Sequence, residues 1–296
     1  MPPAWFAHPA ARDWTCAPAP VEGLDFHAAL PGYAATPLAE LPALAVRLGV
    51  GRVFVKDESS RLGLPAFKAL GASWAVHRVL AGRPSGEPVL LVTATDGNHG
   101  RAVARIAALC GQRAHVFVPL GVSTRAVAAI AAEGARVTEV DGSYDEAVRL
   151  AAAAASDDPG AVLVHDTAWP GYEEIPSWIV QGYATLFAEL DAQLGAEPPG
   201  LVVVPVGVGS LAWPYLRRGL DAATEVTDRD SEAAVRELAE LGVSCGPCGA
   251  AALAGARAAL TGPDSVRRRA DLGLGPTATV VLLSTEGAAD PARPAA

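Results

Sequence analysis

Residues 88–101 read Pro88-Val89-Leu90-Leu91-Val92-Thr93-Ala94-Thr95-Asp96-Gly97-Asn98-His99-Gly100-Arg101. The run from Pro88 to Thr93 is apolar without alternation, the pattern of a strand covered on both faces. Pro88 stands at its first position, where a missing N–H is tolerated. A polar turn follows, with Gly97-Asn98 as a turn dipeptide, and Gly100 to Leu109 reads as helix. The same strand-then-helix unit recurs. Ala114 to Val118 is a strand, Ser123 an N-cap for a helix to Glu133, and Arg136 to Val140 a strand. Tyr144 to Ala155 is a helix and Ala161 to His165 a strand. Continuous apolar strands separated by helices predict an α/β fold, a parallel sheet with helices on both faces.

Upstream, Arg52 to Val55 reads as a short strand and Pro65 to Leu80 as a helix with apolar positions three and four apart. Residues 1–29 hold several prolines, lack periodicity and read as an irregular arm. Downstream come a helix over Ser177 to Leu194 and a buried strand over Leu201 to Val206, whose final pairing Pro205 weakens. The loop Gly207-Val208-Gly209-Ser210 opens an expected helix over Trp213 to Leu220. A strand over Ala222 to Thr227, helices over Ser231 to Leu241 and Cys248 to Leu260, and a final strand over Thr277 to Leu283 complete the series.

Composition narrows the partners. At 296 residues and 51% hydrophobic, the chain can bury a sizeable core in one or two domains. Its net charge of −9 and lack of a basic stripe argue against nucleic acid. The N-terminus shows no secretory pattern, and the uncharged run from Leu201 to Leu216 is short for a bilayer span and broken by proline and glycine. A soluble cytoplasmic protein with no membrane partner is expected. Cys245-Gly246-Pro247-Cys248 spells a thioredoxin-type motif, but no preceding Trp or small redox domain surrounds it. No second ligand pair at zinc spacing is near, so no metal site is expected.

Two stretches carry chemistry. Lys68 lies in Ala66-Phe67-Lys68-Ala69-Leu70-Gly71, flanked by apolar and small residues. Burial disfavours an ammonium, so such an amine is expected to be a nucleophile able to form a Schiff base with an aldehyde cofactor. Gly207 to Ser210, after a strand and before an expected helix, would offer backbone N–H groups to a phosphate.

Taken together, Lys56-Asp57-Glu58-Ser59, residues 66–71, Thr95 to Gly100, His165-Asp166-Thr167-Ala168-Trp169-Pro170-Gly171-Tyr172-Glu173-Glu174-Ile175-Pro176 and Leu283-Ser284-Thr285-Glu286-Gly287 occur in a recognisable order. They resemble the fold type II pyridoxal-phosphate enzymes, the tryptophan synthase β and threonine dehydratase superfamily. Within it they are most similar to the diaminopropionate ammonia-lyases. The resemblance implies a two-domain parallel-sheet fold. Residues 85–170 would form a small α/β domain, and residues 30–84 with 171–291 a large cofactor-binding domain. It implies pyridoxal 5'-phosphate as cofactor, a small amino-acid substrate and a homodimer. Lys68 would hold the cofactor's aldehyde, Asn98 its ring hydroxyl, Gly207, Val208, Gly209 and Ser210 its phosphate, and Ser284 its pyridine nitrogen. Asp96 and Asp166 would bind an amino-bearing substrate, Asp96 being the base for its D-isomer and Lys68 for its L-isomer. A helix N-cap or Asx-turn competes for Asp166, and Glu173 and Glu174 read as helix-start charges.

The chain departs from the family in two places. Gly209-Ser210 runs almost directly into Leu211-Ala212-Trp213-Pro214, where relatives carry a long intervening stretch, so the large domain is expected to be shortened. Gly246-Pro247-Cys248-Gly249-Ala250 stands where Gly-Glu-Ser-Gly-Ala is usual. The implied activity is elimination from 2,3-diaminopropionate to pyruvate and ammonia. The alternatives are a serine/threonine-type dehydratase and a degenerate, non-catalytic protein of this fold.

Overall fold

The structure, a computed structural model, describes residues 4–15, 22–84, 86–196, 198–215 and 219–288. In chain order it contains β1 (Trp5–Ala7), α1 (Glu22–Ala28), β2 (Leu38–Glu40), α2 (Pro42–Leu48), β3 (Arg52–Asp57) and α3 (Lys68–Ala81). Then follow β4 (Leu90–Ala94), α4 (Asn98–Leu109), β5 (Arg113–Pro119), α5 (Thr124–Ala132), β6 (Arg136–Val140), α6 (Tyr144–Asp157) and β7 (Ala161–Leu163). The rest comprises α7 (Glu174–Leu194), β8 (Leu201–Val203), β9 (Ala222–Thr224), α8 (Asp228–Glu240), α9 (Pro247–Leu260), α10 (Ser265–Leu272) and β10 (Thr279–Ser284).

The chain divides into two compact units. Residues 20–33 and 68–185 form one, and residues 1–19, 34–67 and 186–296 the other. The first, here the lysine unit, holds a parallel sheet in the order β6-β5-β4-β7. Val92, Ala94 and Phe117 pack on Ala147 and Ala151 of α6. Strand side chains alternate faces, so Val116 points the other way, where Gly100 of α4 meets it. Both faces are thus covered, as the unbroken apolar runs predict. Ser123 accepts from the Ala126 N–H and caps α5 as expected.

The second unit holds a four-stranded sheet in the order β2-β3-β10-β8. β3, β10 and β8 are parallel and β2 is antiparallel to β3. Leu44, Leu48, Val53, Val55, Leu238, Leu253, Val280 and Leu282 form its core.

Several expectations are corrected. The arm is not irregular: β1 pairs antiparallel with β9, α1 belongs to the lysine unit, and a 3-10 turn spans Pro9–Asp13. Short elements like these lack the length for a visible period. Leu201 to Val206 is strand only to Val203. β8 pairs with β10 alone among the described strands. The helix expected over Trp213 to Leu220 is a 3-10 turn at Trp213–Tyr215, and residues 216–218, like Cys16, lie outside the described residues. α3 and the first part of α7 join the lysine unit because their backbones touch, a Cβ on Gly182 falling 2.6 Å from the Leu70 carbonyl oxygen. No described helix is long and apolar enough to cross a membrane.

Candidate active site

In the lysine unit, Lys68 opens α3 and is the more accessible of the chain's two lysines, its side chain 20% exposed. Its Nζ donates to Asp166 Oδ2 at 2.5 Å and lies 5.9 Å from the centroid of the buried Tyr183 ring. Asp166 is not a helix cap, since α7 begins only at Glu174. Its segment is held by Tyr172, whose hydroxyl donates to the Leu163 carbonyl at 2.9 Å and accepts from the His165 N–H at 2.8 Å. Trp169 stacks on Tyr172 with centroids 4.4 Å apart.

His99 sits behind this pair. Its Nε2 bonds the Val164 carbonyl at 2.9 Å, which makes Nε2 the protonated nitrogen of the neutral ring. Nδ1 lies 3.9 Å from Asp166 Oδ2, so the imidazolium form of the ring would place its second N–H toward that carboxylate. His165 is buried with its ring edge-on to His99, centroids 6.3 Å apart. Asp96 is solvent-exposed at the end of β4, and Asn98 is the half-buried first residue of α4.

These groups set each other's charge. Burial alone would lower the Lys68 pKa, but the Tyr183 oxygen and the Asp166 carboxylate outweigh it and hold it above the ordinary lysine range. The expected neutral amine is therefore an ammonium here, because Asp166 gives it a partner that the sequence did not reveal. Burial pushes Asp166 up, yet His99 and Lys68 hold it well below the usual carboxylate range. Asp96 shifts the other way, raised by burial and by the charge of Asp166. Burial and His99 push His165 down to about 4, so it is neutral near pH 7.

The second unit carries the remaining predicted residues. Ser284 ends β10, is 1% exposed, and its hydroxyl has no hydrogen-bond partner among the described residues, with the Cys245 thiol beside it. Glu286, close by, accepts from the Cys248 N–H at the start of α9. Pro247 occupies the first turn of α9, where it costs no helix bond. A carboxylate therefore serves this helix start although none stands at position 247. Cys245 is buried with its thiol pushed up to about 11, and Cys248 is exposed, the reverse of what a redox motif needs. No group of His, Cys, Asp or Glu among the described residues could hold a metal ion. Gly207 to Ser210 forms turns, with Gly209 at φ 88°, accessible to glycine at no steric cost. The described residues directly after the loop form a 3-10 turn at Trp213–Tyr215, and backbone N–H groups of the loop are what would meet a phosphate.

The family described as pyridoxal-phosphate dependent enzyme matches residues 29–213. The chain belongs to this family. As a pyridoxal-phosphate dependent enzyme it is 45% identical over 213 residues to the diaminopropionate ammonia-lyase of Salmonella typhimurium, across 64% of this chain and 52% of that protein. It is 41% identical over 204 residues to the Escherichia coli (strain K12) protein of the same name, across 63% of this chain and 51% of the relative. The chain thus spans about half the length of the curated relatives it matches. The crystal structure of Escherichia coli diaminopropionate ammonia lyase in apo form superposes with a TM-score of 0.87 at 30% identity, over 97% of this chain and 94% of that one. The fold is that of the type II enzymes of this family.

The residues present fit the cofactor. Lys68 is a partly accessible amine, and the other lysine, Lys56, is fully buried in an ion network. Ser284 offers a buried hydroxyl that lacks a partner, suited to a ring nitrogen. The sequence alone does not single out His99, His165 or Tyr183. His99 lies in view between Asn98 and Gly100; the helix that carries Tyr183 is legible over Ser177 to Leu194, but nothing local shows that it meets Lys68.

Proposed function

We propose that this chain is a pyridoxal-phosphate-dependent ammonia-lyase that converts 2,3-diaminopropionate and water to pyruvate and two molecules of ammonia. The observation that carries this reading is the Lys68–Asp166 ion pair, with a second carboxylate, Asp96, that feels the charge of both. A substrate with two amino groups calls for an acidic pocket, and a dehydratase acting on a hydroxyl has no use for a second carboxylate.

When bound, the cofactor supplies an aldehyde to hold the α-amino group and an electron-poor ring to receive the electrons released at Cα. Lys68 would hold the aldehyde carbon, Asn98 the ring hydroxyl, Ser284 the ring nitrogen and residues 207–210 the phosphate. Ser284 would meet that nitrogen with a neutral hydroxyl, which cannot hold it protonated as a carboxylate would. Asp166, ionised throughout, anchors a substrate ammonium. The free-amine form of Lys68 takes the Cα proton of the L-isomer, and the carboxylate form of Asp96 takes that of the D-isomer. The β-nitrogen leaves as ammonia after receiving a proton. Residues 85–170 act in this reading as the small substrate-facing domain, and the protein works as a cytoplasmic homodimer.

Exposed Val206, Val208 and Trp213 next to the glycine loop support a second reading, a shortened member that binds the cofactor weakly and turns over little. Pyridoxal phosphate titration followed by ammonia release from D- and L-diaminopropionate and L-serine separates the readings. Turnover of diaminopropionate over serine supports the first. Preference for serine makes the protein a dehydratase, and no turnover with the cofactor bound leaves the degenerate form.

A further inference from the structure

Three helices of the lysine unit meet around a histidine that the proposed chemistry does not use. His27, on α1, is fully buried. A Cβ on Gly182 of α7 would fall 2.9 Å from Gly71 Cα of α3. One on Gly23 of α1 would lie 3.6 Å from Gly182 Cα and 3.4 Å from His27 Cε1. The helices thus pack on glycine, and His27 adds the polar contacts. Its Nε2 lies 3.0 Å from the Leu70 carbonyl oxygen and 3.1 Å from Ser73 Oγ, and its Nδ1 lies 2.7 Å from Thr185 Oγ1. The carbonyl can only accept, so Nε2 carries a proton, shared between two oxygens of α3. In the neutral ring Nδ1 then accepts from the Thr185 hydroxyl. Ser73 itself donates to the Leu70 carbonyl at 3.1 Å. The ring is therefore a clasp with one nitrogen on α3 and the other on α7.

Its place in the unit matters. Leu70 stands two residues after Lys68, within the first turn of α3. Thr185 stands two residues after Tyr183 on α7. The Tyr183 ring rests on that first turn, because a Cβ on Gly71 would fall 2.6 Å from Tyr183 Cε1. Lys68 Nζ lies 5.9 Å from the centroid of the same ring and donates to Asp166. All of these residues belong to the lysine unit. A slide or rotation of α3 against α7 would carry Lys68 away from both groups that fix its charge.

We infer that His27 is a positioning residue for Lys68. It pins the first turn of α3 to α7, and Lys68 Nζ is thereby held beside the Tyr183 ring and on Asp166. His27→Leu keeps an apolar bulk and removes both ends of the clasp. Thr185→Val keeps the shape at the α7 end and leaves a buried ring nitrogen without its donor. In either variant α3 can shift on its glycine contact. Lys68 then spends time away from Tyr183 and Asp166, the groups that hold it above the ordinary lysine range.

The inference rests on Lys68 being the reactive lysine of the proposed function, but its test needs no cofactor. The probe is formaldehyde with cyanoborohydride, and the readout is the methylation rate of Lys68 as a function of pH, followed by peptide mass. In Thr185→Val the rate at pH 9 should rise about tenfold, the effect of a one-unit fall in pKa, and in His27→Leu at least as much. Ile130→Ala is the control. It opens a cavity beside α5 in the same unit, lowers the melting temperature and should leave the Lys68 profile where it is in the wild type. A clasp that served the fold alone would make His27→Leu and Thr185→Val behave like this control. Unchanged Lys68 profiles in both clasp variants, or an equal shift in Ile130→Ala, overturn the inference, and Thr185→Val alone decides should His27→Leu not fold. Failure of the wild-type protein to bind pyridoxal phosphate would count against the proposed function and leave this result standing.

Discussion

Lys68 Nζ donates to Asp166 Oδ2 at 2.5 Å, and Asp166 reverses what burial alone would do to the lysine. Asp166→Asn removes the charge and keeps the shape. Lys68 should then react with pyridoxal phosphate at lower pH, because its ammonium loses its partner. Borohydride reduction and peptide mapping across pH 6 to pH 10 measures this. Turnover of both diaminopropionate isomers should fall at least about a hundredfold. A variant that labels and turns over like the wild type would show that the pair has no part in either event.

Asp96 should discriminate between substrate isomers. Asp96→Asn is expected to cut kcat for D-diaminopropionate by about two orders of magnitude or more and to affect the L-isomer far less. Stopped-flow assays of each pure isomer provide the comparison. Equal losses would remove Asp96 from the role of base.

The Gly71–Gly182 contact leaves no room for a methyl group. Gly182→Ala places a Cβ 2.6 Å from the Leu70 carbonyl oxygen. Backbone cannot yield as a flexible side chain can, so the cost should reach about 3 kcal/mol or more. Urea denaturation would report it as a lower midpoint with an unchanged slope.

His165 should give the fold a pH dependence. Its native pKa of about 4 lies below the 6.5 of an unperturbed histidine. Between those values the unfolded chain binds a proton that the native protein refuses, so stability falls as pH drops from about 6.5 to about 4. The full contribution is about 3 kcal/mol. His165→Gln should flatten that part of the stability-versus-pH curve. An identical curve in the variant would place the acid sensitivity elsewhere.

The open side of β8 and the exposed Val206, Val208, Trp213 and Leu220 predict self-association. Sedimentation velocity should show mass rising with concentration. Grafting the intervening stretch of a longer relative between Ser210 and Trp213 should reduce association and tighten cofactor binding. If it changes neither, the short loop is a complete design.

Legibility in the sequence followed the range of the interactions. The alternation from Leu90 to Leu163 was readable because each strand and helix carries its own period or its own cap, as at Ser123. The candidate residues Lys68, Asp96, Asn98 and Asp166 were readable because they lie in short motifs. What the residues do to each other was not readable. Lys68 looked like a buried neutral amine, and only its meeting with Asp166 and Tyr183 makes it an ammonium. The His27–Thr185 bond joins residues 158 positions apart, with nothing local to mark either one. α10 leaves no periodic signature in the sequence because its charged residues carry little apolar signal.

The order of strands also bears on how the protein is made. β10, the last strand of the described chain, sits between β3 and β8 in the middle of its sheet. The sheet of the lysine unit is complete once residue 163 has left the ribosome. The other sheet has to wait, with β3 and β8 lacking a neighbour until residues 279–284 emerge. During that interval Val53, Val55 and Val203 are without the strand they pair beside, and apolar strand edges stand open. A ribosome that stops short of residue 279 releases a chain with one finished sheet and one that cannot close.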